Sequence, residues 1–596
     1  MQSTIAEKVS ALRDWLDTNN YDAFIIPHED EFLGEYLPAR NERLQWATGF
    51  TGSAGFAVIT KTNAAIFVDG RYTVQVTKQV PDSIFEYQHL IEKPLSEWTS
   101  QQNSELETIA FDPRLHTASW VKSSQDKLGD QVKLCPINDN PIDTLWQGRP
   151  DPVASEVRLM ELEQSGVSCE TKRATIAANL KQSGNDCAVL TQLDSICWLL
   201  NIRGLDVSRL PVLLSHAIIH ADARLDFYFD SERLPVNFDK HVGSGVNVMS
   251  PSSLQSDLSQ LTGKTVLLDS SSTNAWFEIQ LQQANAVIVE GEDPCIRTKA
   301  AKNESEAKGM RDCHVRDGVA MSKFLYWLDK EVTEGRLHNE AVLADKLEAF
   351  RKLDPTLVDL SFDTISAAGD NAAMCHYNHN DQPEPGVLTN NSLYLVDSGG
   401  QYYDGTTDIT RTIAIGTPSA EMVNQFTLVL KGHISLASAA FPKGTTGHQL
   451  DVLARQHLWK SGYDYDHGTG HGVGHFLSVH EGPQRISKAP SSVALVAGMV
   501  VSNEPGYYRA DGFGIRIENL EIVVEKQTQG DFSVLTFESL TRCPIDKRNI
   551  DINMLSKPEL RWLNEYHQKV WNDISPFLEG EEKAWLEQAT SAVAHS

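Results

Sequence analysis

Twice in its first half the chain runs through one order of elements, and that repetition limits the available folds more than any single motif does. "KVSALRDWLDTNNYDAFIIPHEDEF" opens at Lys8 with apolar residues at helical spacing, then turns into the strand-like "DAFII". "KRATIAANLKQSGNDCAVLTQLDSICWLLNIRG" follows the same scheme from Lys172: helix, Gly/Asn turn, strand "CAVL". Where the second copy reads "NIRG", the first reads "LQWATGFTG". A helical period followed by a β-rich run, repeated, predicts two related α/β domains.

At 596 residues the chain is too long for one core. The Pro/Gly-interrupted stretch "QGRPDPVAS" (147–155) reads as a linker. A long amphipathic helix with Met310, Val315, Val319, Phe324 and Leu328 at roughly helical spacing opens a third domain that starts near Ile296. The expected domains are therefore 1–152, 153–296 and 297–596.

The balance of 52 Lys and Arg against 80 Asp and Glu leaves a formal charge of −28. A surface that acidic repels phosphate backbones and anionic membranes, so neither nucleic acid nor a membrane is expected as a partner. The first residues lack a basic segment followed by an apolar one, and the longest clean apolar run, "VALVAGMVV" (493–501), is half a membrane span. Eight cysteines fall without a C-x-x-C pair, a usage that suits reduced thiols and a cytoplasmic location.

The chemistry concentrates in the last domain. In "SLYLVDSGGQYYDGTTDITRTIAIG" (392–416) a strand-like run ends at Asp397, a Gly-Gly turn follows, and a second strand opens at Asp408. In "AGMVVSNEPGYY" (497–508) an apolar strand ends at Glu504 before a Pro-Gly turn. "GFGIRIENLEIVV" (512–524) reads as one strand whose alternation puts Arg516 and Glu518 on the same face. Acids beside turns are ordinarily solvated. Glu518 is the exception, because it interrupts a run otherwise fit for burial, and a buried carboxylate needs a cation or a set of donors. Arg516 could supply that as a structural ion pair, and so could a metal.

Between these acids lies "HGTGHGVGHFLSVHEGP" (467–483), with four histidines and five glycines in one stretch. Glycine permits close backbone approach, and histidine is the commonest metal ligand and proton shuttle. The stretch is neither a phosphate loop nor an H-E-x-x-H zinc helix: the third glycine of G-x-G-x-x-G is replaced by Val473, and His480-Glu481 is followed by Gly-Pro-Gln. "TGSAG" (51–55) likewise departs from the G-x-S-x-G elbow of serine hydrolases.

"DSGGQYYDGTTDITRT", "HGTGHGVGHFLSVHEGP", "SNEPGYY" and "GIRIEN", in that order and spacing, resemble the dinuclear-metal peptidases of the pita-bread fold, and among them the long, three-domain form of aminopeptidase P (Xaa-Pro aminopeptidase). The resemblance spans the chain, taking in "GFTGSAGFAVIT" and "AAIFVDGRY" near the N-terminus and "FESLTRCPID" and "LRWLNEYH" near the C-terminus. It implies an α/β (α+β) chain: two creatinase-like α/β domains, then a pita-bread catalytic domain with a C-terminal extension.

Carried over by residue, the resemblance implies that Asp397, Asp408, His471, Glu504 and Glu518 hold two divalent ions. Asp408 and Glu518 would bridge, Asp397 would complete one ion, and His471 with Glu504 the other. Four carboxylates and one imidazole balance two divalent charges and favour a hard ion such as Mn2+, with Zn2+ or Co2+ as alternatives. Two such ions about 3.5–4 Å apart can bridge a hydroxide that attacks the scissile carbonyl. His376 and His480 are implied at the substrate and tetrahedral intermediate, and Glu504 as proton acceptor. His467 is implied in the proline pocket, Arg516 in orienting both Glu518 and that substrate-binding pocket, and Arg71 at the substrate from the first domain. His475 reads as a neighbour rather than a ligand, His379 and His433 as surface or structural residues, and Cys375 as a small buried residue whose exposure would make activity sensitive to thiol reagents.

The implied activity is release of the N-terminal residue from small peptides with proline second, by a cytoplasmic homodimer. A prolidase confined to X-Pro dipeptides would use the same five ligands, and methionine aminopeptidase does not need two added α/β domains. A non-catalytic binding module would require substitutions at ligand positions, and all five are in place.

Overall fold

The computed structural model describes residues 3–102 and 106–595. The chain forms two compact units, residues 1–160 with 167–296, and residues 161–166 with 297–596.

The first unit holds two six-stranded sheets. In the first, the strands run in the order 86–89, 64–68, 56–60, 23–27, 108–111, 133–136. Strand 56–60 runs antiparallel to both of its neighbours, and the remaining neighbours are parallel. In the second sheet the order is 246–249, 225–228, 216–220, 187–190, 265–268, 287–290, with the same pattern of directions. The repeated scheme is thus a repeated topology. Each copy opens on a helix, Ile5–Asn19 capped by Thr4 and Cys169–Gln182 capped by Ser168, whose buried residues (Val9, Leu12 and Leu16; Ile176, Ala177 and Leu180) face the core. The two copies are joined by backbone: Ala118 N–H donates to the Thr273 carbonyl at 3.0 Å and Ala275 N–H to that of His116 at 2.8 Å. Asn274 Nδ2 donates to the Glu31 carbonyl at 2.8 Å, and Phe32 stacks on His216.

The second unit begins with the long helix foreseen from the sequence. It spans Glu304–Thr333 and starts at a capping box between Asn303 and Glu306. Met310, Phe324 and Leu328 are buried on its inner face, and Val315 and Val319 pack at a second core. A three-stranded sheet follows, with Ser392–Ser398 between Ile365–Ala368 and Ile409–Ile415. A six-stranded sheet runs in the order 440–442, 534–539, 519–526, 500–503, 470–472, 481–486. Helices Ala420–Ala437 and Lys557–Ile574 share a core with Leu393, Ile515 and Ile517. No helix among the described residues is long and apolar enough to cross a membrane.

Two expectations are corrected here. Asp397 does not end its strand but lies within Ser392–Ser398, paired with Thr410 and Ile365. Gly399-Gly400 is not a simple turn: a Cβ on Gly399 would stand 1.9 Å from the Thr407 carbonyl, and from Gly400 the chain joins a second small sheet against Leu357–Leu360. The run 512–524 is likewise not one strand. Phe513–Arg516 pairs with Gly506–Arg509, and Asn519–Lys526 pairs with Val500–Asn503 in the six-stranded sheet. Ile517 and Glu518 carry the chain between those sheets, which frees Glu518 from a ladder.

Candidate metal centre

Three separate stretches bring the carboxylates together. Asp397 and Asp408 come from the three-stranded sheet, His471 and Glu504 from the six-stranded sheet or its edge, and Glu518 from the crossing between two sheets. The ligand atoms of Asp408, His471 and Glu518 lie within 4.8 Å of one another. His471 Nε2 is 3.5 Å from Asp408 Oδ2 and 3.5 Å from Glu504 Oε1. Arg516 Nη2 is 2.6 Å from Asp397 Oδ2.

The glycines around His471 have a steric cause. His471 sits in the short strand Gly470–Gly472. A Cβ on Gly470 would stand 2.0 Å from the Ser502 carbonyl oxygen, and one on Gly472 would stand 2.1 Å from that of Glu481. Only hydrogen fits at either side, so the neighbouring strands close directly onto the histidine. His471 N–H donates to Ser502 Oγ at 2.9 Å, and that hydroxyl donates to Glu504 Oε1 at 3.1 Å, so one serine registers two of the acids' partners. His471 Nδ1 lies 3.0 Å from the Gly472 carbonyl; an N–H there fixes the tautomer and turns Nε2 toward Asp408 and Glu504.

Electrostatics show what the protein alone leaves unbalanced. Burial, together with Asp408 and Glu504 and against the pull of Arg516, pushes the Asp397 carboxyl up to about 6. Burial also raises Glu504, and it raises Glu518 well above the carboxylate range with help from Asp408, Asp397 and Glu504. Burial opposes protonation of His471, yet Asp408 and Glu504 outweigh it and bring the ring to about 9. Asp397 Oδ1 and Glu518 Oε1 are buried without a hydrogen-bond partner among the described residues. A buried carboxylate oxygen with no donor is costly unless a cation meets it. Oxygen-rich donors with one imidazole suit divalent ions of the harder kind, so the residues fit the group.

A hydrogen-bonded chain leads away from the acids. Arg516 donates through Nη2 to Asp397, through Nε to Thr410 Oγ1 at 3.2 Å and through Nη1 to the Tyr508 hydroxyl at 2.7 Å. Thr410 donates in turn to Glu518 Oε2 at 2.7 Å. Burial, reinforced by Arg516, lowers His467 to about 3 and keeps it neutral. With Nδ1–H donating to the Gly468 carbonyl at 2.7 Å, its Nε2 accepts from the Tyr508 hydroxyl at 2.8 Å. Tyr508 and Thr410 lie inside the quoted motifs "SNEPGYY" and "DSGGQYYDGTTDITRT", but sequence reasoning gave neither a role.

The remaining residues divide. His480 is exposed and packs edge-on to His471, ring centroids 4.3 Å apart. His376 is half-buried and near enough to His467 to act on it electrostatically. Behind His480, Glu481 is fully buried and receives Lys299 Nζ at 3.0 Å and Lys302 Nζ at 2.5 Å, an ion triad that sequence inspection did not find. His475 is buried outside the acid cluster, and His379 is buried. His433 is buried and structural, its Nδ1 3.0 Å from the Asn503 carbonyl. Arg71 belongs to the first unit, where its guanidinium pairs with Asp69 at 2.7 Å.

A mixed α/β scaffold that converges acids and a histidine in this way defines a candidate metal-binding protein. A family model described as metallopeptidase family M24 matches residues 308–525, and one for the C-terminal region of that family matches 533–593. Two creatinase/prolidase N-terminal domain models match 8–145 and 148–306. A probable Xaa-Pro aminopeptidase P of Talaromyces stipitatus is 40% identical over 608 residues, covering 98% of this chain and 92% of that one. Another, of Laccaria bicolor, is 38% identical over 615 residues, covering 98% and 93%. The crystal structure of an X-prolyl aminopeptidase from Caenorhabditis elegans, described as a cytosolic enzyme with a di-nuclear active site, matches with a TM-score of 0.94 at 34% identity, covering 99% of this chain and all of that one. The chain belongs to the Xaa-Pro aminopeptidase P family, with creatinase-like domains preceding a pita-bread M24 domain.

Proposed function

We propose that this chain is a dinuclear metallo-aminopeptidase that hydrolyses the bond between an N-terminal residue and a following proline. The observation that carries the reading is the convergence of Asp397, Asp408, His471, Glu504 and Glu518 with two buried carboxylate oxygens lacking any donor among the described residues. Asp408 and Glu518 would serve both ions, Asp397 one, and His471 with Glu504 the other, with Mn2+ the expected metal and Zn2+ or Co2+ its alternatives. Such a pair of ions supplies a Lewis acid for the scissile carbonyl and a water made acidic enough to attack at neutral pH.

The protein's own groups do the rest. Glu504, held by the Ser502 hydroxyl, accepts the proton of the attacking water and passes it toward the leaving proline nitrogen. His480 and His376 donate to the substrate and to the tetrahedral oxygen. Neutral His467, aligned by Tyr508, forms the wall of the proline pocket. Arg516 fixes Asp397 directly and Glu518 through Thr410. Arg71, which the "DGRY" motif carries over by resemblance, is a further substrate-binding candidate.

Domains at 1–152, 153–296 and 297–596 are supported by family-model limits at 145/148 and 306/308. A homodimer in the cytoplasm acting on small peptides completes the reading, in line with the cytosolic description of the nematode relative. The test is hydrolysis of Arg-Pro-Pro and of Arg-Pro after chelation and after manganese is restored. Metal-dependent release of arginine from the tripeptide, with little from the dipeptide, is expected. Preference for the dipeptide would make the chain a prolidase, and turnover of neither by protein holding two ions would overturn the peptidase reading.

A further inference from the structure

The segment 369–386, which carries His376, has little regular structure beyond two short 3-10 turns, Gly369–Ala373 and His379–Asp381. A segment of that length needs something other than a helix or sheet ladder to hold a side chain in place. Glu340, the first residue of helix Glu340–Arg351, is buried completely, and among the described residues no lysine or arginine pairs with its carboxylate. Its two oxygens instead take four donors from that segment and its borders. Oε1 accepts from Ala368 N–H at 2.7 Å and Asn371 Nδ2 at 2.8 Å, while Oε2 accepts from the Tyr377 hydroxyl at 2.7 Å and Gly386 N–H at 2.6 Å.

Those donors are the entry, the interior and the exit of the segment. The backbone closes the same joint, because Glu340 N–H donates to the Gly386 carbonyl at 2.9 Å and Leu388 N–H to that of His338 at 3.0 Å. Gly386 is fitted to the carboxylate: a Cβ there would stand 2.8 Å from Glu340 Oε1 and 2.6 Å from Asn371 Nδ2. Burial and the adjacent Glu340 carboxylate keep the Tyr377 hydroxyl protonated, so it remains a donor. On its other side the segment abuts the site. A Cβ on Gly514 would stand 1.8 Å from the Ala372 carbonyl oxygen, in the strand that ends at Arg516, and the Cys375 thiol lies beside Tyr508 and Arg516.

We infer that Glu340 is a positioning residue that fixes the 369–386 segment, and through its neighbour Tyr377 fixes His376 against the substrate. The inference rests on the role proposed above for His376. Removing a carboxylate that accepts four donors leaves all four unsatisfied or forces the segment to move, and displacement of a substrate-contacting group by about 1 Å can cost on the order of 100-fold in rate. Glu340→Gln is the sharpest change, since its amide presents a donor toward two or more of the four donors.

The experiment is a double-mutant cycle on the manganese-loaded full chain, with Glu340→Gln, Glu340→Asp, His376→Ala and the Glu340→Gln/His376→Ala pair. Hydrolysis of Arg-Pro-Pro, bound metal and hydrogen exchange are read for each. Glu340→Gln should lower kcat roughly as much as His376→Ala, on the order of 100-fold, with two ions still bound, and should add little in the His376→Ala background. Exchange should rise in 369–386 and not in 470–472 or 500–503. Glu340→Asp keeps the charge and should recover part of the loss. Full additivity, or unchanged exchange in 369–386, would overturn the positioning role. Raised exchange in 369–386 together with an inert His376→Ala would leave the clamp standing and refute the role assigned to His376 instead. If Glu340→Gln does not fold, Tyr377→Phe and Asn371→Ala each remove one donor and carry the same reading.

Discussion

Arg516 spends one arm of its guanidinium on Asp397, at 2.6 Å, and so satisfies one carboxylate oxygen while the other keeps no donor among the described residues. The arginine sets the direction in which that acid is available. Its other contacts, with Thr410 and Tyr508, extend the same control to Glu518 and His467. Lysine cannot make this three-way contact, because an ammonium lacks the planar fork. Arg516→Lys is expected to lower kcat/KM and metal affinity by roughly 10–100-fold with the fold intact. Steady-state kinetics beside metal titration checks it; unchanged metal affinity with unchanged kinetics would remove Arg516 from the site.

The acids also predict how metal-free protein responds to pH. Asp397 sits at about 6 when folded, above its unfolded value, and His471 at about 9, above its own. For both, the folded state holds the proton more tightly. Their contribution is therefore complete below the unfolded pKa and is lost as pH rises through about 6 for the acid and about 9 for the histidine. Thermal melts of chelated protein should fall between pH 5 and 9, and adding Mn2+ should raise the melting temperature most at the alkaline end. A metal effect independent of pH would contradict this.

Glu521 gives a second pH signature away from the candidate metal centre. Among the described residues neither of its buried oxygens meets a hydrogen-bond partner at good geometry, and burial, against Arg542 and Lys569, raises it to about 8. Raised above the unfolded value, it contributes stability at acid pH that is lost as pH climbs through about 8. Glu521→Gln should be near neutral at pH 5 and stabilising at pH 9, as read from melting temperature; equal shifts at both would place the carboxylate in contact with a cation.

Glu481 closes a buried triad, so its two lysines depend on it. Glu481→Gln strands two ammonium groups in the interior and should destabilise by about 3–5 kcal/mol, whereas Lys302→Met leaves a neutral Lys299–Glu481 pair and should cost less. Chemical denaturation orders the two variants, and the reverse order would refute the triad.

Cys375 should resist alkylation. Burial raises its thiol above the ordinary range despite the nearby Arg516, so little thiolate exists at neutral pH. Mass spectrometry after iodoacetamide treatment of folded protein at pH 7 should find Cys375 unmodified. Rapid modification with loss of activity would place it at an open site wall.

Part of the candidate site was legible in the chain because one of its acids violates its surroundings. Glu518 interrupts a run otherwise fit for burial, and conflict of that kind marks function, whereas Asp397 and Glu504 beside their turns read as ordinary until the motifs are taken as a set. The paired glycines about His471 were legible for the same reason, although their cause, carbonyls 2.0 and 2.1 Å from where a Cβ would stand, belongs to the folded neighbours. The strand ends were misread at Asp397 and across 512–524, since alternation cannot show that a chain leaves one sheet for another. Tyr508, Thr410, Glu340 and the Lys299–Glu481–Lys302 triad went unseen. Glu481 lies 182 and 179 residues from its lysines, and a tyrosine, a threonine or a helix-opening glutamate looks ordinary until the distant partner arrives.

The repeated topology of the first unit has a consequence for how its two halves have parted. After the third strand in sequence of each six-stranded sheet comes a turn with an aspartate and an arginine, Asp69 and Arg71 in one half, Asp230 and Arg233 in the other. Arg233 is committed inward, donating to Asp206 at 2.6 Å and to the Ser155 carbonyl while lying over the Phe229 ring. Arg71 stays at the surface, pairing with Asp69 two residues back and lying over the neighbouring Tyr72 ring. Turns at matching places in the repeat have thus parted: one arginine is part of the masonry, and the other sits at the surface on a short tether.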